Sequence, residues 1–382
     1  MRSAEKELAE LEAASLRRTL RPVNSQQLTH AHIGGNKLLN FASNDYLGLA
    51  NHPAVKSAYI DAVENWGAGS GSSRLICGSL KPHGQLESYL AEAKATEAAI
   101  VFANGYAASV GTLSGLLRKG DTVILDKLSH ASLIDGARLS GATIRVFPHN
   151  DLVKLEKLLV STTAKAGTDS RVVIVTESVF SMDGDIAPLL EIIELKKKYG
   201  VLLLVDEAHG LGVYGPSGMG LSEHLSCSSE IDLQLGTLGK SAGVAGGYIA
   251  ARRDYIELLV NRSRSFIYST APPPAQSAAA LAGLMIIRSE EGTELRAKLW
   301  SNIQTFADHT QREFPTSAII PWHVGDSSSA LSLSQKLQEQ HAILAPAVRF
   351  PTVPLNTARL RITLTAAHTH ANIEKLCSAL GH

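Results

Sequence analysis

From residue 98 onward, short apolar runs alternate with stretches of helical periodicity, and this alternation is what most limits the folds open to the chain. The runs fall at 99–103, 122–125, 143–147, 171–176, 201–205, 233–235 and 247–251. Strands that are apolar almost throughout need cover on both faces, which helices in the intervening segments can supply. The rhythm therefore predicts an α/β fold with a mostly parallel sheet wrapped by helices.

The flanks differ from this pattern. At the N-terminus the sequence predicts a helix over 3–18, a short strand at 38–42 and a helix over 52–66 opened by Pro53, followed by a glycine-serine loop. Toward the other end, 275–314 reads as almost wholly helical, and strands at 318–321 and 359–364 enclose a helix at 328–340. The expected division is an N-terminal helix and arm over 1–45, a large domain over 46–288 and a smaller α+β domain over 289–382. A chain of 382 residues with 45% hydrophobic content suits two such lobes.

Charge and cysteine usage narrow the function classes. Thirty-six basic residues balance thirty-six acidic ones, which gives no electrostatic case for nucleic acid or an anionic membrane as partner. Cys77, Cys227 and Cys377 lie far apart and form neither a disulfide framework nor a CxxC metal pair, so no metal is expected and a reducing cytoplasm is. The N-terminal segment lacks the apolar core of a signal peptide, and the most apolar later stretch, 278–287, is too short to span a bilayer. The expectation is a cytoplasmic enzyme of small molecules.

In open α/β sheets, ligands bind at the carboxyl ends of the strands, and the polar residues of this chain gather there. The run 201–205 delivers Asp206-Glu207-Ala208-His209, and the run 233–235 leads through Gly236-Thr237-Leu238-Gly239 to Lys240. A lysine amine beside a carboxylate and an imidazole suits pyridoxal phosphate, whose aldehyde takes an amine as a Schiff base and whose ring nitrogen needs an anion to stay protonated. Lys240 and Asp206 are the candidates for these roles. Asn104-Gly105-Tyr106-Ala107-Ala108 joins a strand to an apolar helix through a glycine, and helix N-termini bind phosphate through unpaired N–H groups. His130, just beyond the run 122–125, should reach the same edge, where an imidazole can stack on a ring or move protons.

Two other motifs point elsewhere. Asp206-Glu207-Ala208-His209 spells a helicase box, and the segment ending in Lys240-Ser241 is one residue short of a nucleotide phosphate loop, with Gln234 where its first glycine belongs. A P-loop nucleotide-binding protein is thus the remote alternative, but the order is reversed and Ala242-Gly243-Val244-Ala245-Gly246-Gly247 follows in place of an amphipathic helix. Gly210-Leu211-Gly212-Val213-Tyr214-Gly215 matches a dinucleotide fingerprint, yet it leads into Pro216 and more glycines, so a turn is expected. Near the C-terminus, Arg359 and Arg361 alternate with Leu360 and Ile362. That spacing puts both guanidiniums on one strand face, either solvated or facing a cleft where a forked guanidinium matches a carboxylate.

Assembled, the chain resembles the α-oxoamine synthase family of fold-type I pyridoxal phosphate enzymes over nearly its whole length. The resemblance rests on Asn44-Asp45-Tyr46-Leu47-Gly48-Leu49, the loop 69–78 with His83, Leu86 and Glu87, and Leu128-Ser129-His130-Ala131-Ser132. It rests equally on Phe180-Ser181-Met182-Asp183-Gly184, the Asp206 and Lys240 segments, Tyr268-Ser269-Thr270, Thr352-Val353-Pro354 and Ala358-Arg359-Leu360-Arg361. It implies that Lys240 carries the cofactor, Asp206 pairs with the ring nitrogen, His209 and Ser181 contact the 3-oxygen region and His130 stacks on the ring. Gly105, Tyr106 and Thr237 would hold the phosphate, with Thr270 reaching in from the other subunit of a homodimer.

Arg361 would bind an amino-acid carboxylate, with Asn44 and Thr352 on the substrate side. Arg18 or its neighbour Arg17 would contact the acyl substrate. Within the family, the loop 71–78 and Asn44-Asp45 point to condensation of L-alanine with a pimeloyl thioester, carried on CoA or acyl carrier protein, in biotin biosynthesis. Glycine C-acetyltransferase, 5-aminolevulinate synthase and serine palmitoyltransferase share the catalytic set and are the alternatives.

Overall fold

The computed structural model describes residues 3–14 and 16–382. Its N-terminal arm holds α1 (Ala4–Ala13) and the hairpin strands β1 (His30–Ile33) and β2 (Asn36–Asn40), followed by α2 (Pro53–Trp66) and α3 (Lys81–Ala93). Next come β3 (Ala98–Phe102), α4 (Gly105–Leu116), β4 (Thr122–Asp126), α5 (Ala131–Ser140), β5 (Thr143–Phe147), α6 (Leu152–Thr163), β6 (Val172–Glu177), α7 (Leu189–Tyr199) and β7 (Leu202–Asp206). The central region ends with α8 (Leu221–His224), β8 (Leu233–Thr237), β9 (Gly247–Ala251), α9 (Arg253–Arg262), α10 (Arg264–Ile267) and α11 (Pro274–Ile287). The C-terminal part comprises α12 (Glu290–Thr310), β10 (Ile319–Gly325), α13 (Ser327–His341), β11 (Ile343–Leu344), β12 (Ala347–Val348), β13 (Ala358–Thr363) and α14 (His370–Leu380).

Seven strands form the central sheet in the order β3-β9-β8-β7-β6-β4-β5. Every neighbouring pair is parallel except the two that involve β9. All seven expected runs are strands of this one sheet. Its side chains alternate between two apolar layers. Ile100, Val123, Val173, Leu204 and Leu235 pack with α4, α5 and α9. Ala99, Ile124, Ile174, Leu203 and Val205 lie in the other layer, which continues without a break into Leu299, Phe306, Ile320, Leu360 and Ile362 of the C-terminal part.

Two smaller sheets lie outside this one. In the order β10-β13-β12 all pairings are antiparallel. The hairpin β1-β2 takes β11 as a parallel third strand, with Ile343 opposite Leu39, so the N-terminal arm is stitched to the C-terminal part. α1 is shorter than the expected helix: it stops at Ala13, and the backbone N–H groups of Leu16 and Arg17 turn back to Leu11. The glycine-rich run after His209 is a buried turn rather than a nucleotide loop. It wraps Glu207, whose carboxylate accepts from the N–H groups of Leu221 and Ser222, and a Cβ at Gly210 would lie 2.1 Å from Glu207 Oε2. No helix follows Lys240 either: the chain turns at once, with the Gly243 N–H bonded to the Lys240 carbonyl.

Candidate active site

The ends of β6, β7 and β8 bring Glu177, Asp206 and Thr237 to one edge of the sheet, and the loops beyond β4 and β8 add His130 and Lys240. Together with Gly105, Tyr106 and His209 these residues line one cavity. Lys240 Nζ lies 2.7 Å from His209 Nε2. Burial lowers the Lys240 pKa, while the charges of Asp206 and Glu177 pull it back up and Arg361 opposes them. Burial raises Asp206, against the attraction of Lys240 and a 2.8 Å hydrogen bond from the Ala208 N–H. A cation placed against Asp206 would restore its ionisation.

Glu177 was not assigned a role from the sequence. It stands directly opposite Asp206 in the β6–β7 register and accepts a 2.5 Å hydrogen bond from the His130 backbone N–H. Burial, and then repulsion by Asp206, raise its pKa. The signal was its place as the last residue of a wholly buried strand in the middle of the sheet. His130 faces the cavity with Nδ1 2.8 Å from Ser132 Oγ, and desolvation followed by the nearby Lys240 lowers its pKa.

At the mouth of the cavity α4 begins with Gly105. Asn104 caps it by accepting from the Ala107 N–H at 2.8 Å. The N–H groups of Gly105 and Tyr106 belong to the first turn, where no intrahelical acceptor exists. A Cβ on Gly105 would come within 3.2 Å of Thr237 Cβ, so glycine lets this helix end approach the β8 terminus. Thr237 Oγ1 accepts from the Gly239 N–H and donates to the Gly246 carbonyl, which locks the turn leading to Lys240. A helix N-terminus, a carboxylate and a lysine amine lining one cavity fit the phosphate, ring nitrogen and aldehyde of pyridoxal phosphate.

A second cavity shares His130 and continues past Ser181 and Asp183 to Thr352, Val353 and Pro354. Ser181 lies here rather than in the first cavity, and its carbonyl accepts from Arg361 Nε at 2.6 Å. Arg361 also donates to Asn44 Oδ1 at 3.1 Å, while Arg359 is ion-paired with Asp183. Both arginines are buried, so the face they share is not a solvated one. The two N-terminal arginines diverge: Arg17 pairs with Glu12 at 3.3 Å, whereas Arg18 reaches Thr352 Oγ1 at 3.4 Å. Thr270 is exposed and lines neither cavity; it forms a bridge with Ser73.

The family model described as aminotransferase class I and II matches residues 36–380. The chain is 45% identical to the 8-amino-7-oxononanoate synthase of Geobacter sulfurreducens, over 99% of this chain and 97% of the relative. The chain belongs to the class I and II aminotransferase family, among the 8-amino-7-oxononanoate synthases. Solved members of this fold superpose closely. A serine palmitoyltransferase from S. paucimobilis with bound PLP and myriocin has a TM-score of 0.90 at 31% identity, covering 98% of this chain and 94% of that one. The 8-amino-7-oxononanoate synthase of Francisella tularensis has a TM-score of 0.76 at 29% identity, covering 90% and 96%. The mostly parallel sheet and its helices are therefore the fold-type I transferase fold.

Proposed function

We propose that this enzyme condenses L-alanine with a pimeloyl thioester, carried on CoA or acyl carrier protein, to give 8-amino-7-oxononanoate, the free thiol carrier and CO2. The observation that carries the reading is the junction of two cavities at His130, one lined by Lys240 and the other by Ser181 and Thr352, with Arg361 bonded behind it to the Ser181 carbonyl and to Asn44. Pyridoxal phosphate, when bound, supplies an aldehyde for amines and an electron sink for a carbanion at the amino-acid α-carbon. Lys240 would hold its aldehyde, Gly105, Tyr106 and Thr237 its phosphate, Asp206 its ring nitrogen, His130 its ring face and His209 with Ser181 its 3-oxygen.

The chain's own residues supply the rest. Arg361 binds the alanine carboxylate, with Asn44 beside it. Lys240 Nζ takes the α-proton, and burial favours the neutral amine needed for this. Arg18 and Thr352, in mutual contact at the outer end of the cleft, receive the acyl chain, where a guanidinium meets the distal carboxylate of the pimeloyl group. Thr270 completes the phosphate site of a second copy in a homodimer. The three cysteines are free, as suits the reducing cytoplasm in which we place the enzyme.

The test is a panel of amino acids against acyl-CoAs, read by product mass. Alanine with pimeloyl-CoA should turn over fastest, and Arg18→Ala should remove most of the preference for pimeloyl over uncharged chains of similar length. Faster turnover of glycine with acetyl-CoA or succinyl-CoA would refute the substrate assignment. Borohydride reduction of the protein as purified should fix the cofactor on the peptide containing Lys240, and a Lys240→Ala protein that still trapped it would refute the role of that lysine.

A further inference from the structure

Tyr46 belongs to no step of the proposed reaction, yet it is fully buried and touches the residue that touches Lys240. Four hydrogen bonds run in series from Arg361 to Lys240. Arg361 Nη1 lies 3.1 Å from Asn44 Oδ1, which lies 3.3 Å from the Tyr46 hydroxyl. The hydroxyl is 2.6 Å from His209 Nδ1, and His209 Nε2 is 2.7 Å from Lys240 Nζ. We propose that Tyr46 is a positioning residue that fixes the tautomer of His209, with the proton on Nδ1 and Nε2 kept bare as an acceptor for the Lys240 amine.

At the Arg361 end of the series the chemistry has no alternative. A guanidinium has five donors and no acceptor, so Asn44 must face Arg361 with its carbonyl oxygen. That oxygen is one of two acceptors within reach of the Tyr46 hydroxyl, the other being His209 Nδ1 if it carries no proton. Burial raises the phenol to about 12, so it keeps its one proton at any ordinary pH. When that proton goes to Asn44 Oδ1, the phenol oxygen offers His209 only lone pairs, and Nδ1 donates. Burial, then the charges of Lys240, Arg361 and His130, hold the His209 pKa well below its ordinary value, so the ring is neutral and carries a single N–H. In that direction Nε2 is bare, and the Lys240 end selects it.

The other end demands the same arrangement. A lysine ammonium is donor-only, and although burial lowers the Lys240 pKa, Asp206 and Glu177 pull it back to about 8, so the amine is still mostly charged at neutral pH. Reversing the chain would point an Nε2–H at the amine and exclude the ammonium. Only one direction satisfies both cationic ends at once.

This inference rests on the proposed reading of Lys240 only for its importance to the reaction, and its test needs no substrate. The full-length chain is labelled with 15N at histidine, cleared of cofactor, and the His209 tautomer is read from its ring nitrogen shifts, assigned by their loss in His209→Asn. The expected result is a protonated Nδ1 and a bare Nε2 at neutral pH; the opposite tautomer in the wild-type chain overturns the proposal. In Tyr46→Phe, with its fold checked by circular dichroism, Nδ1 loses its acceptor and the proton should move to Nε2. The midpoint for trapping Lys240 with a small aldehyde and borohydride should then fall by about one pH unit, making the amine about tenfold more reactive below that midpoint. A Tyr46→Phe protein with unchanged tautomer and unchanged Lys240 midpoint overturns the proposal as well, whatever the substrates prove to be.

Discussion

Asp206 and Glu177 stand side by side at the ends of neighbouring strands, and Lys240 is the cation that faces both. Two adjacent buried carboxylates facing one amine cannot all be charged cheaply, and burial and then repulsion by Asp206 raise Glu177. Replacing Asp206 by Asn keeps the shape of the wall but removes the anion proposed to pair with the cofactor's ring nitrogen. Turnover in Asp206→Asn should fall on the order of 10²–10³-fold while borohydride still fixes cofactor on Lys240; near-normal turnover would give the ring nitrogen to another residue, with Glu177 the first to examine. Lys240, Asp206, His209 and His130 were legible because strand ends and residue types point to them together. Glu177 and Tyr46 were not, because a Glu closing an apolar strand and a Tyr in a loop acquire meaning only from what folds against them. The alternation of Arg359 and Arg361 gave their shared face, but only the segment carrying Ser181 and Asp183, folded over that face, shows that it is buried.

At the scale of elements, the loops that carry His130 and Ser181 are clamped by one histidine. His149 Nδ1 lies 3.0 Å from Asp126 Oδ1 at the end of β4, and Nε2 lies 2.6 Å from Asp185 Oδ2, just past the Ser181 loop. Its ring also meets the edge of Phe180 at 4.3 Å. Desolvation lowers its pKa, but the bonds to Asp126 and Asp185 outweigh that and raise it to about 10. A group raised on folding contributes stability fully below its unfolded value of about 6.5 and loses it as pH rises toward the folded value. Stability measured by urea unfolding should therefore decline between about pH 6.5 and 10, and His149→Ala should cost about 2–4 kcal/mol at neutral pH and flatten that decline. An unchanged slope in the variant would assign it to other groups. The sequence showed β5 ending at Phe147 but not this clamp, since its partners lie in two other loops. Elements too short or too mixed for periodicity also escaped it: β11 and β12 have two residues each, and α3 carries Gly84 inside a helix whose buried face is Leu86 and Leu90.

At the scale of the whole molecule, the proposed homodimer has a candidate contact surface in two joined loops. The loop carrying Ile76 and the connector carrying Tyr268 are joined by the bridge between Ser73 and Thr270, and the Ala271 N–H donates to the Ser72 carbonyl. Together they hold Ile76 79% exposed and Tyr268 72% exposed, with Leu75 also open. Large apolar side chains held rigidly in solvent lose about 25 cal/mol for each Å² left uncovered, and covering them with a second copy recovers that loss. The same segment carries Thr270, which lines neither active-site cavity of its own chain, and in the proposed homodimer a two-fold partner that buries Ile76 and Tyr268 would also receive Thr270. Sedimentation equilibrium should give about twice the 40.7 kDa chain mass. The double variant Ile76→Asp, Tyr268→Asp should sediment as a monomer with unchanged circular dichroism, and its turnover should fall by about two orders of magnitude because each phosphate site loses its threonine. A monomer with full activity would show that each chain completes its own site.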